Sequence, residues 1–468
     1  MEDSTRAARP APVVTVVGPG PALASMAAMP LFTLLDLVSG WNWPIYGVAA
    51  TSCVFFLFHW RSVPSHILRT SLVLLVVTAA LLPVIATPLQ TLERGLRIGC
   101  LIASLLMTVN LLSRAALRVP RVRNVVSELF RMPAGPRYVG LTVASQFFGG
   151  LLGLAGLAMM MEVAAAADHT SEAEKISDFT AIARGYAALS LWSPMYSNLS
   201  IMLALYQGST WLGLLPYALV VSALLMTLGA ALDWVQHRGR RRPTDREQPS
   251  GLLLCAALPI IGAMLGFLAF MVMASRYLNV PITAAIIVGA PIAAWLLNAS
   301  RAGMGLRDGS RTLRRDFLGF QSMAGEVVLF LASGCAGTVM ASAIPAAWTG
   351  SIGHAVSGSP VFGSLFLTLG IVLLSATAIH PMLSAVHVAS SFSPALLGLP
   401  VPSHLCAVLV GWGLAIIVTP FSVLSLMASR ASGIPILVIS LRSNVLFVAT
   451  SALVSALILG GLARLTST

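Results

Sequence analysis

His380 and His387 lie in a stretch, Val327 to Ser429, that holds no Asp, Glu, Lys or Arg, yet it carries four of the chain's eight histidines, His354 and His404 being the others. A bilayer accounts for the missing charges, because an ionised side chain in hydrocarbon is costly and a neutral imidazole far less so. An imidazole kept there can donate a hydrogen bond to an anion, and with an ordinary pKa of about 6.5 it can carry a coupling proton. His380 directly precedes Pro381 in the middle of an apolar segment, and His387 follows about two helical turns later on the same face. The alternative for both is a histidine hydrogen-bonded between helices for packing. His354 and His404 stand near the ends of apolar segments and fit interfacial positions. Glu326, the last acid before the uncharged run, is either a coupling group or a helix-start acid at the membrane edge. The coupling candidates are therefore His380, His387 and Glu326.

A second pattern involves proline. Ser193-Pro194-Met195-Tyr196-Ser197-Asn198-Leu199-Ser200 aligns with His380-Pro381-Met382-Leu383-Ser384-Ala385-Val386-His387 at an offset of 187 positions, which also carries Ser113-Arg114-Ala115 onto Ser300-Arg301-Ala302 and Gly150 onto Gly337. Proline inside a membrane helix removes an amide donor and clashes with the preceding turn, so the helix breaks there. Two breaks at matching depths expose backbone groups where a carrier needs them: half-helix N-termini favour anions and unwound carbonyls can hold Na⁺. Ser193, Pro194, Tyr196, Ser197, Asn198, His380, Pro381 and Ser384 are thus candidate substrate-binding residues, and 193–200 should approach 380–387 near the bilayer midplane. A kink healed by Ser or Asn side chains is the plainer account of either break alone.

The elements that must hold these residues are membrane helices. Hydrophobic residues make up 57% of the chain and charged ones 9%, with a mean hydropathy of +0.88, where a soluble domain is about one-quarter charged. Apolar segments long enough to cross lie at about 22–40, 44–60, 70–88, 96–112, 179–206, 211–232, 251–275, 277–299, 362–391, 402–428 and 443–463, giving about eleven transmembrane helices. Two further segments, 138–167 and 325–348, are interrupted near their middles by Ser145, Gln146, Gly149 and Gly150, and by Ser333, Gly334 and Gly337. They read as re-entrant hairpins whose turns line a cavity, or else as ordinary helices with glycine packing faces. Ser145, Gln146, Gly149, Ser333, Gly334 and Gly337 join the binding candidates. The expected fold is an all-α polytopic membrane protein: a cytoplasmic tail at 1–21, then one transmembrane domain at 22–468 made of two repeats, about 44–233 and 251–430, plus an extra C-terminal helix at 443–463.

The net charge of +12 does not point to nucleic acid, because the arginines fall in short runs beside apolar segments. Five lie between Arg238 and Arg246, six between Arg114 and Arg137, and Arg61 and Arg69 mark a third loop. These loops, with the acidic 168–178 loop and the N-terminus, are expected to face the cytoplasm. Arg118 to Phe130 reads as a helix lying along the inner surface. The five cysteines sit in apolar stretches without metal-like spacing, so no metal site and no cofactor are expected. The first twenty residues lack a clear cleavage site, and no signal peptide is expected.

With these motifs the chain resembles the ion-transporter superfamily of secondary carriers, which includes the divalent-anion:sodium symporters and the membrane subunits of tripartite dicarboxylate carriers. The resemblance rests on Val327 to Gly350, similar to that group's hairpin, and on the motifs around Pro194 and Pro381, over about 44–430. The paired Ser-Asn-Thr signatures of the dicarboxylate symporters are absent, with Ser197-Asn198-Leu199 and Ser384-Ala385-Val386 in their places. The resemblance implies inverted repeats and a homodimer. Arginine counting instead puts Arg114 and Arg301 to Arg315 on the same side, as parallel repeats would; a crossing at 325–344 followed by a short hairpin would reconcile the two.

The function expected is secondary active transport, by symport, of a small, anionic organic solute across the inner membrane, with Na⁺ or H⁺ as coupling ion. No P-loop is present, so ATP does not drive it within this chain. The alternative is a membrane-embedded enzyme acting on a lipid-linked substrate, which would be expected to show paired acids within spans or an H-E-x-x-H motif, neither of which occurs.

Overall fold

The computed structural model describes residues 21–41, 43–206, 208–237, 251–301, 305–377 and 379–466. The tail through Gly20 and the Arg238 to Arg246 run lie outside the described residues. The described regular structure is helical throughout. In chain order the helices are α1 (Pro21–Ser39), α2 (Pro44–His59), α3 (Ser65–Leu81), α4 (Pro88–Leu117), α5 (Pro120–Leu129), α6 (Ala134–Ala165), α7 (Glu172–Leu189), α8 (Ser197–Leu205), α9 (Trp211–His237), α10 (Gly251–Tyr277), α11 (Ile282–Ala299), α12 (Leu306–Leu318), α13 (Ala324–Ala343), α14 (Ala346–Ser357), α15 (Pro360–Ala376), α16 (Pro381–Ser391), α17 (Val401–Val418), α18 (Val423–Ser432) and α19 (Ser443–Thr466). Proline opens α2, α4, α5, α15 and α16, where its missing amide costs nothing and its fixed φ favours a helix start. Among the described residues nine apolar stretches are long enough to cross a membrane, and α1, α2 and α15 contribute shorter ones. The chain is a polytopic all-α membrane protein, with α4 and the α17–α18 stretch the most enclosed and α3 and α10 at the rim.

At the centre α4 crosses α13. A Cβ placed on Gly95 would lie 2.6 Å from the Cα of Cys335, and one on Gly99 2.8 Å from the Cα of Leu331, so backbones meet where side chains are absent. Further along, Arg114 Nη2 donates to the Gly319 carbonyl at 3.4 Å. As α4 numbers rise its α13 partners fall, and the two helices run antiparallel. This overturns the hairpin expected at 325–348: α13 is continuous, and Gly334 and Gly337 serve close packing, Gly334 against Gly95 and Gly337 against Val386.

The segment expected as the first hairpin does turn back, but at Gly153 rather than Ser145 to Gly150. Gly153 has φ 53° and ψ −139°, a conformation open to glycine alone. A Cβ on Gly156 would lie 2.5 Å from the Phe148 carbonyl oxygen, whereas a straight helix would separate those residues by about 12 Å. The segment 362–391, expected as one broken span, is also doubled: α15 and α16 pack together, with the Phe366 and Phe392 rings 4.8 Å apart. The segment 402–428, expected as a plain span, is broken at Thr419–Ser422 between α17 and α18.

These corrections change the repeat. His380-Pro381 begins the second arm of a doubled helix pair, while Ser193-Pro194 lies in a break between successive helices, so the offset of 187 does not join like with like. An offset of 226 does. Gly185 on α7 sits under Thr142 of α6, its Cβ position 2.3 Å from the Thr142 carbonyl oxygen, and Gly411 on α17 sits under Thr368 of α15 at 2.9 Å. Ser193-Pro194 corresponds in turn to Thr419-Pro420. The series α4 to α9 matches α13 to α19 in order, which makes α19 the counterpart of α9 rather than an extra helix. Because α4 and α13 are antiparallel, the two series run in opposite senses.

The arginine discrepancy disappears with the new register. Arg118 pairs with Asp316 and reaches Asn298 Oδ1 at 3.1 Å, and Gly325 packs on Pro64 and Ile67, between Arg61 and Arg69. Ser177 donates to Asp233 at 2.6 Å, bringing the end of α9 to the same face. Arg301 to Arg315 is therefore on the face of Arg114 without being its counterpart. On α5, Val122, Val125 and Val126 are buried while Arg121 and Arg123 are exposed, the pattern of a helix lying on a surface.

Candidate functional site

The α6 turn, the α15–α16 turn and both breaks converge on one cavity of about 140 Å³. Leu152, Gly153 and Leu154 reach it from the first turn, His380, Pro381 and Met382 from the second. Met195 to Asn198 line it from the α7–α8 break, and Trp412, Ile416, Val423 and Leu424 from α17 and α18. Residues of α4 and Phe330 of α13 close the remaining side.

Proline accounts for each break, and local hydroxyls then satisfy part of the freed backbone. At the first, Ser200 Oγ donates to the Pro194 carbonyl at 2.7 Å, Trp211 Nε1 to the Trp192 carbonyl at 2.7 Å, and Asn198 Nδ2 to Ser190 Oγ at 3.2 Å. At the second, Ser422 Oγ donates to the Ile416 carbonyl at 2.5 Å and caps α18 by accepting from the Ser425 amide, while Thr419 Oγ1 ties the break to α15 by donating to the Ser375 carbonyl at 3.1 Å. What the breaks offer the cavity is thus mainly the starts of α8 and α18, joined by the start of α16. Helix starts carry unpaired amides and partial positive charge.

His380 is the N-cap of α16, its Nδ1 accepting from the Met382 amide at 3.3 Å. An accepting Nδ1 in a neutral imidazole leaves the proton on Nε2 as a donor. Its ring meets Phe330 edge-on, with centroids 6.5 Å apart. Across the first break the Tyr196 ring meets Tyr186 edge-on at 5.1 Å.

Of the residues expected from sequence, Tyr196, Ser197, Asn198, His380 and Pro381 line the cavity together. Others stand behind it. Ser145 donates to the Ile182 carbonyl at 2.6 Å, Gln146 accepts from Trp192 at 2.7 Å, and Gly149 makes room for Tyr186. Ser193 is buried at the break, and Pro194 contributes the carbonyl that Ser200 occupies. Ser333, Gly334 and Gly337 belong to α13 and Ser384 and His387 to α16, none lining the cavity; the Ser333 and Ser384 hydroxyls and His387 Nδ1 are buried without a hydrogen-bond partner among the described residues. Glu326 is in the first turn of α13 and does not line the cavity. His404 is an internal tie rather than an interfacial residue, bonding the Phe392 carbonyl at 2.8 Å and the Tyr206 hydroxyl at 2.7 Å.

The cavity residues missed from sequence include Asn110 and Ser113 of α4, Leu152 to Leu154, Tyr186, Trp412, Val423 and Leu424. A signal for part of them existed: Gly185-Tyr186 through Ser193-Pro194 aligns without a gap with Gly411-Trp412 through Thr419-Pro420.

No protein-family model matches this chain, and no curated protein matches it. Among solved structures its fold is similar to that of the Alcanivorax borkumensis YdaH transporter, with a TM-score of 0.53 and 15% identity, over 84% of this chain and 96% of that one. The likeness is one of fold: the chain is built like a known membrane transporter.

Proposed function

We propose that this protein is a secondary transporter with the architecture of the ion-transporter superfamily, carrying a small organic anion across the inner membrane by proton symport. The observation that supports this is the cavity shared by two helix turns and two helix breaks, the arrangement in which two inverted repeats, about 88–237 and 324–466, can rock around one midplane site. In this reading α6 and the α15–α16 pair are re-entrant, and the arginine-bearing face is cytoplasmic, which places the N-terminus inside and the end of α19 outside.

The chemistry of the cavity narrows the cargo. Ser197, Asn198 and the helix starts of α8 and α16 meet His380 on one side, favouring a carboxylate or similar anion. Leu154, Ile416, Val423 and Leu424 form the other side, so the solute carries an apolar portion as well. Hydroxyl and indole donors occupy the Trp192 and Pro194 carbonyls at the first break and the Ile416 carbonyl at the second, which removes ligands a Na⁺ ion would need and favours a proton on His380.

Reconstituted protein tests this with a panel of labelled organic acids. A transporter of this kind accumulates at least one of them in proteoliposomes when the outside is acid, with no Na⁺ present. His380→Gln keeps size and a donor but cannot be protonated, so it should exchange the solute and fail to concentrate it. Normal accumulation by His380→Gln under a pH gradient alone would remove the histidine from coupling, and uptake driven solely by Na⁺ would overturn the proton.

A further inference from the structure

Away from the central cavity, the face opposite the arginine-rich one holds a second opening. The end of α11 reaches Arg118 on the arginine-rich face, so its start, and with it the end of α10, lies on the other. There a cleft of about 480 Å³ opens between the α8–α9 connection, the last turns of α10 and the start of α11. It continues along α10 as a groove of about 550 Å³ lined by Leu265, Leu268, Ala269 and Met273, with Trp211, Leu212, Val272 and Arg276 common to both. Helix α10 packs on α11 and α5 instead of closing against α9, which leaves the groove open to the bilayer.

Arg276 is the charged residue lining both parts, and no acid lines either. It is exposed in the last turn of α10 without an ion pair among the described residues. An arginine is also out of place on this side of the membrane by the usual bias. Around it are Ser209, Thr210 and Thr283, and Trp211, its indole turned inward onto the Trp192 carbonyl, forms the inner wall. One continuous site thus offers a guanidinium and hydroxyls at its polar end and an aliphatic trough at its apolar end.

We propose that this site binds one anionic phospholipid of the outer leaflet, its phosphate on Arg276 and an acyl chain along Leu265 to Met273. A guanidinium pairs with phosphate through two parallel N–H donors, and the trough takes hydrocarbon from the chain end.

Native mass spectrometry of the delipidated full-length protein, with phosphatidylglycerol or phosphatidylcholine added back, tests the assignment. The wild type should retain one phosphatidylglycerol at least tenfold more strongly than phosphatidylcholine. Arg276→Gln should lower retention to the phosphatidylcholine level, and Arg276→Lys should keep part of it. Ala269→Trp should displace the lipid with Arg276 intact, size exclusion confirming a folded protein in each case. Equal retention by wild type and Arg276→Gln, or no preference between the two lipids, would mean ordinary annular contact and overturn the site. Competition by millimolar inorganic phosphate would make it an anion site with no role for the trough. Loss of a dimer in Ala269→Trp, with lipid retention unchanged, would assign the trough to a second copy of the chain.

Discussion

The two halves of the molecule present the same helices to the cavity and put their polar groups in opposite places. In the first half the turn is apolar, Leu152-Gly153-Leu154, and the break is polar, Tyr196-Ser197-Asn198. In the second the turn carries His380 and the break presents Val423 and Leu424. Because α8 packs near α16 and α6 near α18, the polar elements face each other and so do the apolar ones. The two series share one frame, and their side chains make its cavity two-sided. The same divergence recurs where each doubled helix meets its following span. Asp178, tied to Arg137 with Glu174 and 3.2 Å from His169 Nε2, occupies the position that in the second half belongs to His404, tied to Tyr206 and Phe392.

The largest expected effect tests that second contrast. The Arg137 and Asp178 side chains are each 2% exposed, so Arg137→Gln leaves the buried Asp178 carboxylate with His169 as its remaining basic neighbour and should cost about 3 kcal/mol. Tyr206→Phe removes one neutral hydrogen bond from the counterpart and should cost about 1 kcal/mol. Thermal unfolding in detergent measures both, and similar losses would mean that the two ties are energetically alike despite their chemistry.

Gly185 and Gly411 give a sharper comparison, since one substitution applies to both. At Gly185 a methyl group would meet a backbone carbonyl at 2.3 Å, at Gly411 at 2.9 Å. Overpacking against backbone should cost about 3 kcal/mol for Gly185→Ala and about 1 kcal/mol for Gly411→Ala. A reversed order would show that α15 and α17 are more rigidly held than α6 and α7.

Within the cavity, Asn198→Ala should weaken solute binding about tenfold through the lost polar contact, and Leu154→Ala about threefold through lost apolar area. The ratio is read by titrating whichever acid the transport panel identifies. If the two variants lose equally, the cavity has no polar side.

Much of this was legible in the chain, and the failures share a cause. The membrane class followed from the missing charges, and the α7–α8 break from Ser193-Pro194, because both depend on local chemistry. The repeat register is ambiguous in the sequence because His380-Pro381-Met382 resembles Ser193-Pro194-Met195 as closely as Thr419-Pro420 does. A proline opens a helix as readily as it breaks one, and only the packing of Phe366 on Phe392 tells the cases apart. Thr419-Pro420 stands out little inside an otherwise apolar run. In α13, Ser333, Gly334 and Gly337 have the composition of a turn, yet small residues equally permit the close crossing with α4. The turn at Gly153 sits among Leu151, Leu152 and Leu154, where no polar neighbour marks it. Sequence reveals which residues allow a close approach or a reversal, while the partner helix decides which occurs.

Acid should reveal the first-half tie by itself. Glu174 stands in the first turn of α7, outside the membrane span, where burial raises its carboxyl pKa but hydrogen bonds from Thr170 and Arg137 together hold it below the ordinary value of 4.5. A carboxyl depressed in the folded state stabilises the fold fully above its unfolded pKa and loses that contribution as pH falls through the folded one. The wild type should therefore keep its melting temperature down to about pH 4.5 and lose stability below it. Partial exposure of Glu174 limits the effect to under about 1 kcal/mol. Glu174→Gln should melt lower at pH 7 and change less between pH 5 and pH 3, converging on the wild type. Parallel curves for the two proteins through that window would show that the carboxylate contributes nothing, and that Asp178 alone distinguishes this junction from its His404 counterpart.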